Sequence, residues 1–86
     1  MIELQLTANE LRDLKALSHK RKNVAWVKQI YKTLKRLPDG DISLLVSHAN
    51  IYALKNIVDF AVLIEEPVQE NLPEKLTNAF IEIKST

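Results

Sequence analysis

The chain has 86 residues, of which 47% are hydrophobic and 27% are charged, and it contains no cysteine. This length predicts one domain covering residues 1–86, and the lack of cysteine excludes disulfides and thiolate metal sites. No apolar run approaches the roughly 20 residues of a membrane span, and the N-terminal residues lack the basic start and apolar core of a secretory signal. We therefore expect a cytoplasmic protein (the host cytoplasm, if the source is viral) with no membrane partner.

The first part of the chain predicts a strand and then a helix. Apolar and polar residues alternate over positions 2–6, which is typical of a short half-buried strand. Thr7 is followed three residues later by Glu10, the pattern of a capping box. A first helix is therefore expected to begin at Ala8.

A second helix is predicted from Val24 to Leu37, with Asn23 as its N-cap. At 100° per residue its apolar and basic residues fall on opposite faces. The apolar face comprises Trp26, Val27, Ile30, Tyr31, Leu34 and Leu37. The basic face comprises Lys28, Lys32, Lys35 and Arg36. The shared apolar face favours core packing of Trp26 and Tyr31 over stacking on nucleic-acid bases.

The second part of the chain repeats the same kinds of signal. The turn sequence Pro38–Asp41 contains the only glycine, and it precedes a predicted strand over Ile42–Val46. Ser47 is a candidate cap for a third helix, predicted over His48–Glu65, which is apolar around more than half its circumference and should pack on several sides. A fourth helix is predicted over Pro73–Ile83.

The order of elements predicts an α+β fold that is predominantly helical, with the order β-α-α-β-α-α. Its two strands are expected to pair as a short antiparallel ribbon beneath four helices. The halves 1–38 and 41–84 align, since the strand sequences beginning at Ile2 and Ile42 have similar patterns. Two explanations stay open: an internal duplication, or two unrelated strand-helix-helix units that happen to align.

The sequence contains no recognisable catalytic pattern. His19 and His48 are isolated, which favours solvated or capping roles over metal binding. One glycine cannot build a phosphate-binding loop, and the adjacent Glu65 and Glu66 would point in different directions on a helix. We therefore expect a protein that is not an enzyme and uses no cofactor, metal or small-molecule substrate.

Charge is strongly segregated along the chain. Residues 1–40 carry nine basic and four acidic side chains, a balance of +5, whereas residues 41–86 carry three and seven, a balance of −4. Between Asp13 and Asp39 every charged residue is basic. A solvated helix face usually mixes both signs, so a face of one sign indicates an anionic partner.

These observations predict a small non-catalytic interaction or regulatory module that self-associates and presents a basic helical face to an acidic protein partner. The alternative is a nucleic-acid-binding protein that uses the first two helices on DNA or RNA. Tyr52, on the polar arc of the third helix, is either a partner anchor or an ordinary surface tyrosine. The candidate contact residues are Lys20, Arg21, Lys22, Lys28, Lys32, Lys35 and Arg36.

A strand followed by two helices resembles half of a ribbon-helix-helix DNA-binding dimer, and two such units in one chain would imply a pseudo-dimer. The resemblance covers the order of elements and the first strand. In that family, polar residues on the outer face of the ribbon read the major groove. The corresponding positions here are Glu3, Gln5, Thr7, Ser43, Leu45 and Ser47. The chain departs from the pattern at Glu3, which would repel phosphate, and at Leu45, which cannot hydrogen-bond.

Overall fold

A computed structural model describes residues 1–85 and contains two strands and four helices within that range. The elements are β1 (Ile2–Leu6), α1 (Ala8–Lys20), α2 (Ala25–Lys35), β2 (Ile42–Val46), α3 (His48–Leu63) and α4 (Leu72–Lys84). This order confirms the predicted fold class. None of the described helices is long and apolar enough to cross a membrane.

The two strands pair antiparallel, as predicted. The register runs from Ile2 opposite Val46 to Leu6 opposite Ile42. Its central pair therefore joins positions 4 and 44, which are 40 residues apart, the same offset that relates the two strand sequences. Of the inward side chains of β1, Leu4 and Leu6 are buried and Ile2 is partly buried, whereas the outward ones are exposed, as the period-two alternation requires.

Side-chain caps fix the starts of α1 and α3. The Thr7 hydroxyl accepts from the Glu10 N–H at 3.2 Å, and the Glu10 carboxylate accepts from the Thr7 N–H at 2.9 Å, which completes the predicted capping box. The Ser47 hydroxyl accepts from the Asn50 N–H at 3.2 Å, which confirms the second predicted cap.

The prediction that Asn23 caps the second helix is wrong. Val24 holds the N-cap position and makes no side-chain cap bond. Its N–H instead donates to the Arg21 carbonyl at 3.0 Å, so a tight turn joins α1 directly to α2. The helix also ends at Lys35, two residues before the expected end at Leu37.

The third helix ends two residues earlier than predicted, because Glu65 adopts a left-handed conformation with φ of 61°. The Glu66 N–H donates to the Ala61 carbonyl at 2.8 Å, and the Glu65 N–H donates to the Val62 carbonyl at 3.1 Å. This is the Schellman arrangement, which terminates a helix and satisfies its last carbonyls. It turns the chain so that Glu66 faces the end of α1.

Helix α3 lies at the centre of the fold and packs against α1, α2 and α4. This confirms the inference that so apolar a helix is covered on several sides. Its buried residues are Ile51, Ala53, Leu54, Ile57, Val58 and Ala61. Helix α4 also contacts β1, so the inward side of the ribbon closes one end of the core.

Candidate partner-binding surface

The basic side chains of α2 form one exposed face of that helix. Val27, Ile30 and Leu34 are buried and fix how the helix is rotated on the core. The helical period then directs four cations outward, and all four are exposed. We call this set the α2 cation face; it consists of Lys28, Lys32 and Lys35 of α2 and Arg36 at its C-cap. Within residues 1–85, none of the four forms an ion pair with a carboxylate.

Two of the seven predicted contact residues are instead paired inside the molecule. Lys20 Nζ lies 2.8 Å from Glu66 Oε2, and Arg21 Nη2 lies 2.8 Å from Glu66 Oε1. The Arg21 guanidinium also donates to the Leu17 carbonyl at 3.1 Å and lies 4.9 Å from the centre of the Phe60 ring. Arg21 therefore joins α1 to the end of α3. The seventh predicted residue, Lys22, lies exposed in the turn between α1 and α2.

These two cations change the acidity of their partner. Hydrogen bonds from Lys20 and then from Arg21 hold the pKa of Glu66 below its usual value, against a smaller opposing effect of burial. Glu66 consequently stays ionised at neutral pH. The acidic half of the chain thus neutralises the end of α1, and the α2 cation face remains without a carboxylate partner in the described residues.

The prediction that Trp26 packs in the core is wrong, because 51% of its surface is exposed. At 100° per residue it lies roughly 70° from the centre of the buried stripe on α2, at the edge of the apolar arc. Tyr31, also predicted to be in the core, is partly buried, and its hydroxyl lies 3.0 Å from His19 Nδ1. The angular offset of Trp26 from the buried stripe, and not its apolar character, could have predicted from the sequence that this residue is exposed.

Trp26 stands beside a groove between α2 and α3 with a volume of about 720 Å³. We call it the α2–α3 groove. Its apolar lining comprises Trp26, Ile30, Ala49, Tyr52 and Ala53, and its polar lining comprises Gln29, His48, Asn50 and Asn56. Within residues 1–85, no carboxylate lines it. Sequence analysis did not predict this groove, because it depends on how the two helices pack.

Tyr52 is 54% exposed and lies on the groove, which keeps both interpretations of this residue open. Its ring centre is 6.0 Å from that of Phe80, and the His48 ring stacks on Phe80 at 5.8 Å. These aromatic contacts reach from α3 to α4 and support the α3 side of the groove.

The polar groups of the ribbon that the ribbon-helix-helix resemblance would direct to DNA have partners inside the molecule. Thr7 and Ser47 serve as helix caps. Gln5 donates to the Ser43 hydroxyl at 3.1 Å, and Ser43 donates to the Glu3 carboxylate. The outer face of the ribbon is therefore a closed hydrogen-bonded set that contains an acid, and it is poorly suited to phosphate.

The described residues contain no group of three or more metal-ligating side chains. The buried acid Glu10 has a structural role: its carboxylate accepts from Lys75 at 2.6 Å and completes the cap of α1. Comparisons of the chain with protein-family models, curated proteins and solved structures found no match.

Proposed function

We propose that this protein is a non-catalytic interaction module that binds an acidic protein partner through the α2 cation face. One observation carries the proposal: four exposed cations share one face of a single helix without a carboxylate partner in the described residues. Charges of one sign at this density attract an oppositely charged surface and speed its approach.

Charge reversal at Lys32 tests this proposal. The probe is poly-L-glutamate, titrated at about 50 and 200 mM salt, because surface charges are screened over that range. We expect Lys32→Glu to weaken binding roughly fivefold, the effect of about 1 kcal/mol at an exposed site. The matched control is Lys84→Glu, which changes the net charge equally on the exposed end of α4. Equal losses in both variants would show that net charge, and not the α2 cation face, drives binding.

Nucleic acid is the second candidate partner, and the uniform sign of the same face favours it. Duplex DNA and structured RNA are titrated under the same two salt conditions. Binding to duplex DNA through phosphates should weaken with a log–log slope of about −0.9 per neutralised phosphate. If DNA or RNA binds much more tightly than poly-L-glutamate at both salt concentrations, this alternative replaces the acidic protein partner.

We further propose self-association through the apolar end of α3. This surface consists of Phe60, Val62, Leu63 and Ile64, each at least 48% exposed. A cluster of this kind favours burial against another molecule, and the opposite net charges of the two halves of the chain favour a second copy. Sedimentation velocity at high micromolar concentration should show a dimer that Leu63→Glu disrupts; a strict monomer would contradict the proposal.

A further inference from the structure

We propose that the α2–α3 groove binds an amphipathic acidic segment of the partner, with its apolar side chains between Trp26 and Tyr52 and its carboxylates on Lys32 and Arg36. This proposal rests on the proposed function and names the chemistry of the partner. Its basis is that an apolar groove and a row of cations lie side by side on the same helix.

The groove has room for side chains because α3 presents alanines there. Ala49 and Ala53 line the groove together with Ile30 of α2, whereas longer residues at the two alanine positions would fill it. A volume of about 720 Å³ is ample for several apolar side chains. The width of the groove is therefore set by the two alanines of α3 and by Ile30 of α2.

Trp26 and Tyr52 are suited to anchor a partner. Both residues are about half exposed, at 51% and 54%, so a ligand in the groove would remove much apolar surface from water. Tryptophan and tyrosine are among the residues that contribute most to binding at protein interfaces. Gln29 and Asn56 add uncharged hydrogen-bonding groups at the same groove.

The cations lie outside the groove lining and continue one of its rows along α2. Gln29 lines the groove, and Lys32 and Arg36 follow it at i+3 and i+7, so the three share one row along α2. Acidic side chains on a segment in the groove would therefore lie next to Lys32 and Arg36. With no carboxylate in the groove lining, nothing there opposes an acidic ligand.

This arrangement favours a peptide over a nucleic acid. In the described part of the chain, the groove lining contains no lysine or arginine, so it suits apolar side chains better than a phosphate backbone. The exposed Asp59, at i+7 from Tyr52 on the same side of α3, does not distinguish the two ligands, because both are acidic. Lys55 is already paired with Asp59 at 2.6 Å. On α2, Lys32 and Arg36 have no carboxylate partner within residues 1–85 and continue the row of Gln29, which suits a helix with one apolar and one acidic face.

The only tryptophan of the chain reports directly on the groove. The probe is a synthetic 18-residue peptide with leucines at helical spacing and glutamates elsewhere, compared with a scrambled peptide of the same composition. We expect the amphipathic peptide to shift Trp26 emission to shorter wavelength and the scrambled peptide to bind at least tenfold more weakly. Poly-L-glutamate should bind without this shift, because it lacks apolar side chains.

Two variants separate this proposal from the proposed function. Ala49→Phe fills the groove at an exposed position and should weaken the amphipathic peptide at least tenfold while leaving poly-L-glutamate unchanged. Tyr52→Ala removes one wall and should act in the same direction, which guards against a folding defect in the first variant. Lys32→Glu should weaken both ligands.

The possible contrary results are distinct. No binding of the amphipathic peptide, binding without an emission shift, or binding that both groove variants leave intact would overturn the groove proposal. Tighter binding by single-stranded DNA with quenching of Trp26 would overturn it in favour of nucleic acid. If the native protein binds the amphipathic peptide but does not bind poly-L-glutamate, the proposed function is overturned and the groove remains a peptide-binding site.

Discussion

The two halves of the molecule have the same order of elements but differ in how far the apolar residues of their second helix are buried. When the second helices are aligned separately, shifted by six residues relative to the strands, Trp26 in α2 matches Leu72 in α4. Leu72 is fully buried, whereas Trp26 is 51% exposed beside the α2–α3 groove. Helix α4 thus uses its apolar residues to close the core, and α2 leaves a large aromatic side chain available to a partner.

The halves also differ in the charged residues at the start of their first helix. The first turn of α1 contains a buried acid, Glu10, whose cation is Lys75 of α4, while Asn50 occupies the corresponding place in α3. Ion pairs between the halves therefore use acids and bases of both, and within the described residues the α2 cation face forms none of them. Among the four helices, α2 is thus the one that forms no ion pair within residues 1–85.

Truncation of Leu72 and of Trp26 tests this difference in burial and should give the largest effect on the free energy of unfolding. We expect Leu72→Ala to lower the free energy of unfolding by about 2–5 kcal/mol, because it leaves a cavity in the core. Trp26→Ala should cost only about 1–2 kcal/mol, since half of its surface is already in water. Chemical denaturation of both variants measures the difference. Equal losses would mean that Trp26 is a core residue after all.

Removal of the cation that neutralises Glu10 should have the next largest effect. Lys75→Met leaves a carboxylate that is 5% exposed without its 2.6 Å partner, and we expect a loss of about 1–3 kcal/mol, moderated because Lys75 is itself 30% exposed. The control is Lys55→Met, which removes the more exposed ion pair with Asp59 and should cost about 0.3–0.5 kcal/mol. A Lys75→Met variant as stable as this control would show that the buried pair contributes little.

The same pair predicts how stability depends on pH. Burial alone would raise the pKa of Glu10, but hydrogen bonds from Lys75 and Thr7 outweigh it and hold the pKa below the usual 4.5. As the pH falls, Glu10 is therefore protonated at a higher pH in the unfolded chain than in the folded protein. The stabilisation is complete above about pH 4.5 and is lost as the pH drops through the lowered value. Urea unfolding between pH 7 and pH 3 should show a smaller acid-induced loss in Glu10→Gln than in the native chain. An unchanged loss would assign the acid sensitivity to other carboxyls.

The sequence predicted the features that depend on local pattern. Helix starts at Ala8 and His48 were predicted because Thr7 and Ser47 cap them through neighbouring backbone groups. The ribbon followed from alternation within each strand. Which lysines find a carboxylate could not be predicted, because the partner of Lys20 is 46 residues away and reaches it only through the turn at the end of α3. The α2–α3 groove was missed for the same reason: it exists only once two helices have packed.

The turn at the end of α3 also distinguishes the two halves. Substitution there should have the smallest effect on the free energy of unfolding. Glu65 holds a φ of 61° at the end of α3, whereas the chain leaves α1 at Arg21 with φ of −116°. A residue with a Cβ is strained in the left-handed region and glycine is not. Glu65→Gly should therefore raise the free energy of unfolding by about 0.5–1 kcal/mol, less than the strain it relieves because glycine also gains entropy in the unfolded chain. Glu65→Ala controls for the lost charge, and Lys22→Gly, in the α1–α2 turn, should give no gain. Thermal or urea unfolding distinguishes these variants, and a gain in Glu65→Ala equal to that in Glu65→Gly would assign the effect to charge rather than to backbone strain.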